Sequence, residues 1–290
     1  MADVKPTTAT AVKANANVQS KKSSNAISWI APVVCILLGY IIWRFIFGSP
    51  DNFEKPDLNS WFWPNHHQLK PNVGLAKMYE GGIIVPILIG SFFIVVTFSI
   101  ERFLTIKKAM GAGNINEFLR KIQFHLANKE VDKALAECDK QKGSVGNVMK
   151  SGLRTYKEMI TNSELATEQK VLNIQKSIEE STALELPMLE KNLVFLSTLS
   201  SLATLLGLLG TVLGMIKAFS ALGEDSGGAN AAAQLSIGIS EALFNTALGI
   251  GTSAVAIIMY NVFTTKIDSL TFGIDESGFT LTQSFASLYK

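Results

Sequence analysis

The sequence predicts an all-α, multi-pass membrane protein with four transmembrane helices and long helices extending into a helical cytoplasmic domain. Three observations carry that expectation. Of 290 residues, 48% are apolar and 17% charged, and the mean hydropathy of +0.26 is high for a soluble chain. Four segments reach the roughly 20 apolar residues that a helix needs to cross a bilayer core. Between the second and third lies one sizeable polar stretch, whose apolar residues recur at helical spacing. The same composition excludes other classes. With 26 basic against 24 acidic residues the chain lacks the basic field of a nucleic-acid binder. Cys35 in an apolar run and Cys138 in a polar one do not make a disulfide framework. His66, His67 and His125 have no paired Cys/His spacing, so neither a metal nor a cofactor is expected.

In chain order, residues 1–26, rich in Ala, Thr, Ser, Lys and Asn, are expected to be a disordered cytoplasmic tail. The first span is 27–47. It is too long for a signal-peptide core and no Ala-x-Ala site follows, so it is expected to stay as a helix. Residues 48–80 lie outside, and Trp61 and Trp63 there fit an interfacial belt. The adjacent His66 and His67 lack a third ligand at useful spacing and are read as loop residues. The second span, 81–101, holds Pro86 and is uncharged to Ile100. The third, 192–219, is uncharged to Ile216, and the fourth, 235–265, holds Glu241. Lys5, Lys13, Lys21 and Lys22 before the first span place the N-terminus in the cytoplasm. Lys107 and Lys108 after the second agree, as does Lys266 after the fourth. The loop 220–234 carries Glu224 and Asp225 without Lys or Arg and is placed in the periplasm, while 266–290 form a cytoplasmic tail.

The middle segment, 102–191, has Ile115, Phe118, Leu119 and Ile122, then Val131, Leu135 and Cys138, at helical spacing. Val145, Val148, Met149 and Leu153 continue the pattern, with Gly143 and Gly146 at a junction. Leu165, Leu172, Ile178 and Leu186 follow among helix formers, and before the third span Pro187 is the sole break signal. Small helices docked on a long one that continues into the membrane are expected. Charges of both signs balance here, as on a solvated surface. No P-loop, Gly-x-Ser-x-Gly or His-Glu-x-x-His occurs, which argues against an ATPase, hydrolase or metalloprotease.

Spans three and four carry stripes of small and hydroxyl residues. Ser197, Ser200, Ser201, Thr204 and Thr211 share one face, as do Gly238, Ala242, Asn245, Gly249, Thr252 and Ala256. Packing alone accounts for most of them, because small residues let membrane helices approach closely. Glu241 differs. A carboxylate costs ~3 kcal/mol in hydrocarbon, so it must face the protein interior or a wet cavity, either as a functional group or as a structural hydrogen bond. Hydroxyls donate and accept, so a threonine ring can hold a water chain that relays protons, and the same groups also suit sodium. No group that titrates alternately towards both sides is present, and a partner is needed to supply it.

The run Ala203-Thr204-Leu205-Leu206-Gly207-Leu208-Leu209-Gly210-Thr211-Val212-Leu213-Gly214 resembles the third-span signature of the ExbB/TolQ/MotA proton-channel superfamily. Gly238-Ile239-Ser240-Glu241-Ala242-Leu243-Phe244-Asn245-Thr246-Ala247-Leu248-Gly249 is similar to its second signature, and Tyr260-Asn261-Val262-Phe263 matches the ending. The resemblance runs over residues 79–266 and is nearest to the ExbB branch, with TolQ next. It implies a homopentamer in the bacterial inner membrane. The pentamer surrounds two copies of an ExbD-like single-span subunit that supplies an intramembrane aspartate. The work passes through a TonB-like protein to outer-membrane transport. A TolQ-like role in envelope maintenance, or a gliding or secretion motor, is the alternative. Carried over by position, Thr211, Thr246 and Glu241 form the ion pathway, with Thr204, Asn245 and Thr252 as pore-lining candidates. The chain departs from the family in having Thr204 where Pro is frequent, and in the added first span and segment 48–80. A solute transporter would require broken helices and an internal repeat, which the spans lack. A scaffold would leave Glu241 without a purpose.

Overall fold

The computed structural model describes residues 25–55, 67–69, 78–79, 81–224 and 229–289. Helix α1 (Asn25–Ile41) runs on as a π-helical turn over Ile42–Phe47. Two three-residue strands, β1 (Phe53–Lys55) and β2 (His67–Leu69), then pair antiparallel. This ribbon is a small addition to the expected all-helical chain. There follow α2 (Ile84–Met110), α3 (Ile115–Ala127), α4 (Val131–Gln141), α5 (Gly143–Thr161), α6 (Thr167–Glu190), α7 (Leu193–Glu224) and α8 (Ala229–Leu288). Four of these helical stretches are long and apolar enough to cross a membrane. The protein is a multi-pass helical membrane protein. Most of the expected disordered stretch 1–26 lies outside the described residues, but Asn25 and Ala26 begin α1.

Pro86 sits in the first turn of α2, where the missing N–H has no intrahelical partner to lose. Gly111, at φ 80°, ends α2, and the Asn114 side chain caps α3 by accepting from the Asn116 N–H at 3.0 Å. These turns fold α3, α4 and α5 into a compact head beside the lower part of α2. Phe118, Ile122, Leu126, Val148, Met149 and Leu153 are buried in it. Of the apolar residues expected in α6, Leu172 is exposed and Ile178 is buried, with Ile174 beside it.

Of the stretch 266–290, set apart as a tail, residues 266–288 are instead the final part of α8. Its Ile267, Leu270, Ile274, Leu281 and Phe285 are buried in the head core at spacings of three, four and seven. Tyr156 meets Phe285 edge-on at 4.9 Å, Phe285 stacks on Tyr289, and Thr167 donates to the Tyr289 carbonyl at 3.1 Å. One continuous helix therefore joins the apolar hairpin to the centre of the polar head.

The expected long helix into the third span is also interrupted. α6 ends at Glu190 and α7 begins at Leu193, with Asn192 left-handed at φ 51°. Arg102, 2% exposed at the lower end of the apolar part of α2, fills this joint. Its guanidinium donates to the Met188 and Leu189 carbonyls at 3.2 and 3.0 Å, capping the end of α6, and pairs with Glu101. The Asn192 amide donates to the same Glu101 carboxylate at 3.2 Å.

Cys138 lies in the head core, where burial pushes its thiol up to about 12. The thiolate that reacts is therefore scarce near neutral pH. Maleimide labelling of the folded protein at pH 7.5 is expected to leave Cys138 unmodified, and labelling after denaturation to modify it. Mass spectrometry of the peptide containing Cys138 reads the result.

Candidate functional site: the α7–α8 hairpin

α7 and α8 make the most extensive helix contact in the chain. Small residues set their separation. A Cβ added to Gly249 would stand 2.6 Å from the Ala203 carbonyl oxygen and 2.8 Å from the Gly207 Cα, so the two backbones touch. Further towards the loop that joins the helices, one on Gly214 would come to 2.9 Å from the Ala242 Cβ, and one on Gly238 to 2.6 Å from the Ala218 Cβ. Close approach of this kind lets side chains bond directly to the neighbouring backbone. Thr246 Oγ1 donates to the Gly207 carbonyl at 3.2 Å, and Ser253 donates to the Ser200 carbonyl.

Glu241 lies on the same helix, about one turn nearer the loop than Asn245, and is 2% exposed. Lys217 of α7 reaches it from an exposed position, Nζ to Oε2 at 3.4 Å. A charged pair across the hairpin offsets part of the cost of placing a carboxylate among apolar helices. Sequence reasoning missed Lys217, which stands one residue beyond the uncharged run of the third span. The signal was a lone lysine facing a lone glutamate across a short connection.

The predicted residues divide into two groups. Thr211 is half-buried in a shallow groove with Val212, Met215, Ile216, Phe219 and Ser220, and its hydroxyl donates to Leu208 at 2.6 Å. Thr246 and Thr204 are half-buried along the hairpin. The hydroxyls of Thr211 and Thr246 each donate to a backbone carbonyl and keep acceptor capacity. Asn245 and Thr252, 1% and 3% exposed, do not line an open face of the single chain but point into its interior. The Asn245 amide donates to the Gly81 carbonyl at the start of α2, 3.1 Å away. His67 belongs to β2 and His66 lies outside the described residues. Among the described residues no group of three His, Cys, Asp or Glu side chains is placed to hold a metal ion.

A backbone-tight apolar hairpin with an interior carboxylate and a row of hydroxyls is the candidate site of this helical membrane protein. Comparison with known proteins makes the class specific. Residues 140–276, a little under half of the chain, match the MotA/TolQ/ExbB proton channel family. It is similar to an ExbB-like protein (ExbB-like 3) of Synechocystis, 37% identical over 87 residues, which is 30% of this chain and 41% of the relative. The biopolymer transport protein ExbB of Helicobacter pylori is 41% identical over 95 residues, 33% of this chain and 63% of the relative. The Tol-Pal system protein TolQ of Haemophilus influenzae is 37% identical over 87 residues, 30% and 37% respectively. Each match spans less than two thirds of the relative's own length. The family is one of channel subunits, not enzymes.

The backbone contact at Gly249 makes a direct prediction. Gly249→Ala is expected to cost on the order of 1–3 kcal/mol through overpacking. Gly251→Ala, with nothing within 4 Å of the added Cβ, is expected to cost little. Thermal unfolding of the two purified proteins in the same detergent compares a single methyl at two positions two residues apart.

Proposed function

We propose that this chain is an ExbB-like subunit of a proton-driven motor in the bacterial inner membrane, with both termini in the cytoplasm. It converts proton-motive force into mechanical work for TonB-dependent outer-membrane transport. The observation that carries the reading is the interior Glu241 within a hairpin that matches a proton-channel family. The topology is internally consistent with it. Arg102 lies beside the head and Gly81 lies beside Asn245, so α2 runs from the middle of the hairpin towards the head end.

The exposed side of the hairpin leaves an apolar surface for assembly. Leu205, Leu208, Val212, Ile216 and Phe219 are exposed along α7, and Thr211 stands among them. Copies of the chain arranged as a pentamer cover part of this surface, and the remainder faces a central cavity. Two single-span ExbD-like partners fill that cavity and bring the aspartate that this chain lacks. Thr211 and Thr246 then offer lone pairs to water beside that aspartate, and Glu241, held by Lys217, lies at the loop end of the path. Movement of the partner against the static hairpins delivers the work to a TonB-like protein.

A TolQ-like role in envelope maintenance is the second reading, favoured by the similarity to TolQ over as large a share of this chain as to the ExbB-like protein. Replacing the native residue by Thr246→Val separates the two, because valine keeps the shape and removes the hydroxyl. Failed growth on a chelated iron source, with the complex intact on co-purification, is the expected result. Normal iron-dependent growth contradicts the TonB assignment, and detergent sensitivity in the same cells assigns the TolQ-like role.

A further inference from the structure

The proposed motor leaves α1 and the segment after it without a task, yet both connect to the hairpin. α1 leaves its regular path in a π-helical turn, where the Gly48 N–H donates to the Trp43 carbonyl at 3.0 Å. That turn carries Trp43, which is 5% exposed. The Trp43 ring stacks on Tyr79 with centroids 4.6 Å apart and planes at 15°, and its Nε1–H donates to the Tyr79 carbonyl at 3.1 Å. Phe53, 1% exposed at the start of β1, closes edge-on against Tyr79 at 5.7 Å. Gly48 lies under the Tyr79 ring, where any side chain would collide with it.

Two residues beyond Tyr79, the Gly81 carbonyl accepts the Asn245 amide of α8. Asn245 has no freedom to turn away. A Cβ on Gly210 would stand 2.5 Å from the Asn245 Cβ, so its side chain lies against bare backbone of α7. Leu248 of α8 packs against the same cluster as Trp43, Phe53, Tyr79 and Val85. The first helix is thus linked to α8 by two routes, one polar and one apolar, and both arrive within two turns of Glu241.

We infer that Trp43 and Asn245 are positioning residues, linked through Tyr79 and Gly81, which fix α8 at the turn bearing Glu241. The inference rests on the proposed proton pathway for its functional consequence but not for the link itself. In this arrangement the added N-terminal helix is a brace on the ion-pathway helix. Load on α1 would reach the part of α8 near Glu241 through one ring stack and two hydrogen bonds.

Two measurements on the full-length protein, purified with its membrane partners, test it. Trp43→Phe keeps an aromatic ring and removes the N–H, while Asn245→Leu keeps the volume and removes the amide. Hydrogen exchange of the amides around residues 237–248 is expected to rise roughly three- to ten-fold in either variant, the range of one interhelical hydrogen bond, with the head unaffected. Proton flux into vesicles is expected to fall by a similar factor. The double variant is expected to stay within about two-fold of the weaker single variant, as for two members of one chain of contacts. If Asn245→Leu does not assemble, Asn245→Ser, whose hydroxyl is too short to reach Gly81, takes its place. Unchanged exchange in both single variants, or multiplicative effects in the double, overturns the link. Raised exchange with unchanged flux overturns the positioning role. If the unaltered protein conducts no protons, the proposed function fails, and the exchange data still decide whether the brace exists.

Discussion

The contact between α7 and α8 is the constraint on which the rest of the structure depends. At Gly207 and Gly249 the backbones touch, and no side chain intervenes to absorb an error in register. That distance brings the Thr246 hydroxyl to a carbonyl of the other helix and sets Lys217 opposite Glu241. In a membrane the apolar surroundings give little drive to associate helices, so close packing and interhelical hydrogen bonds must do it. The small residues that pack and the polar residues that carry the chemistry are therefore parts of one arrangement.

The hairpin is held from outside at two levels. At the head end, Arg102 caps the last turn of α6 while Glu101 accepts from Asn192, so the direction of α7 is fixed where the chain leaves the polar head. α8 needs no such joint because it continues unbroken into the head core. At mid-height, level with Gly210, Asn245 and Leu248 tie α8 to the aromatic cluster around Trp43. The open face of the hairpin that carries Thr211 is left for other chains.

Much of this was legible in the sequence. Spans announce themselves by composition, because hydrocarbon tolerates so few charges, and Glu241 stood out for the same reason. The apolar spacing of α3, α4 and α5 matched their buried faces. What was missed depends on partners distant in the chain. The left-handed Asn192, rather than Pro187, breaks the helix before α7, and a single asparagine is a weak stop signal until Arg102 and Glu101 are seen beside it. Ile267, Leu270, Ile274, Leu281 and Phe285 had helical spacing, but lay among Thr, Ser and Asp in a stretch set aside as a tail. Asn245 shares a stripe with Ala242 and Gly249, and periodicity alone does not say that this stripe faces Gly81 and Gly210 instead of an open face.

The central claim is that an interior carboxylate in a tight hairpin serves the passage of protons. It is tested most directly by proton flux into vesicles holding the purified complex, with Glu241→Gln compared with the unaltered chain. The glutamine keeps the size and a hydrogen-bonding end but does not carry the charge that pairs with Lys217. A flux at least about ten-fold lower, from a complex that still elutes intact, is the predicted result. Equal flux from both proteins would make Glu241 a structural group and contradict the account.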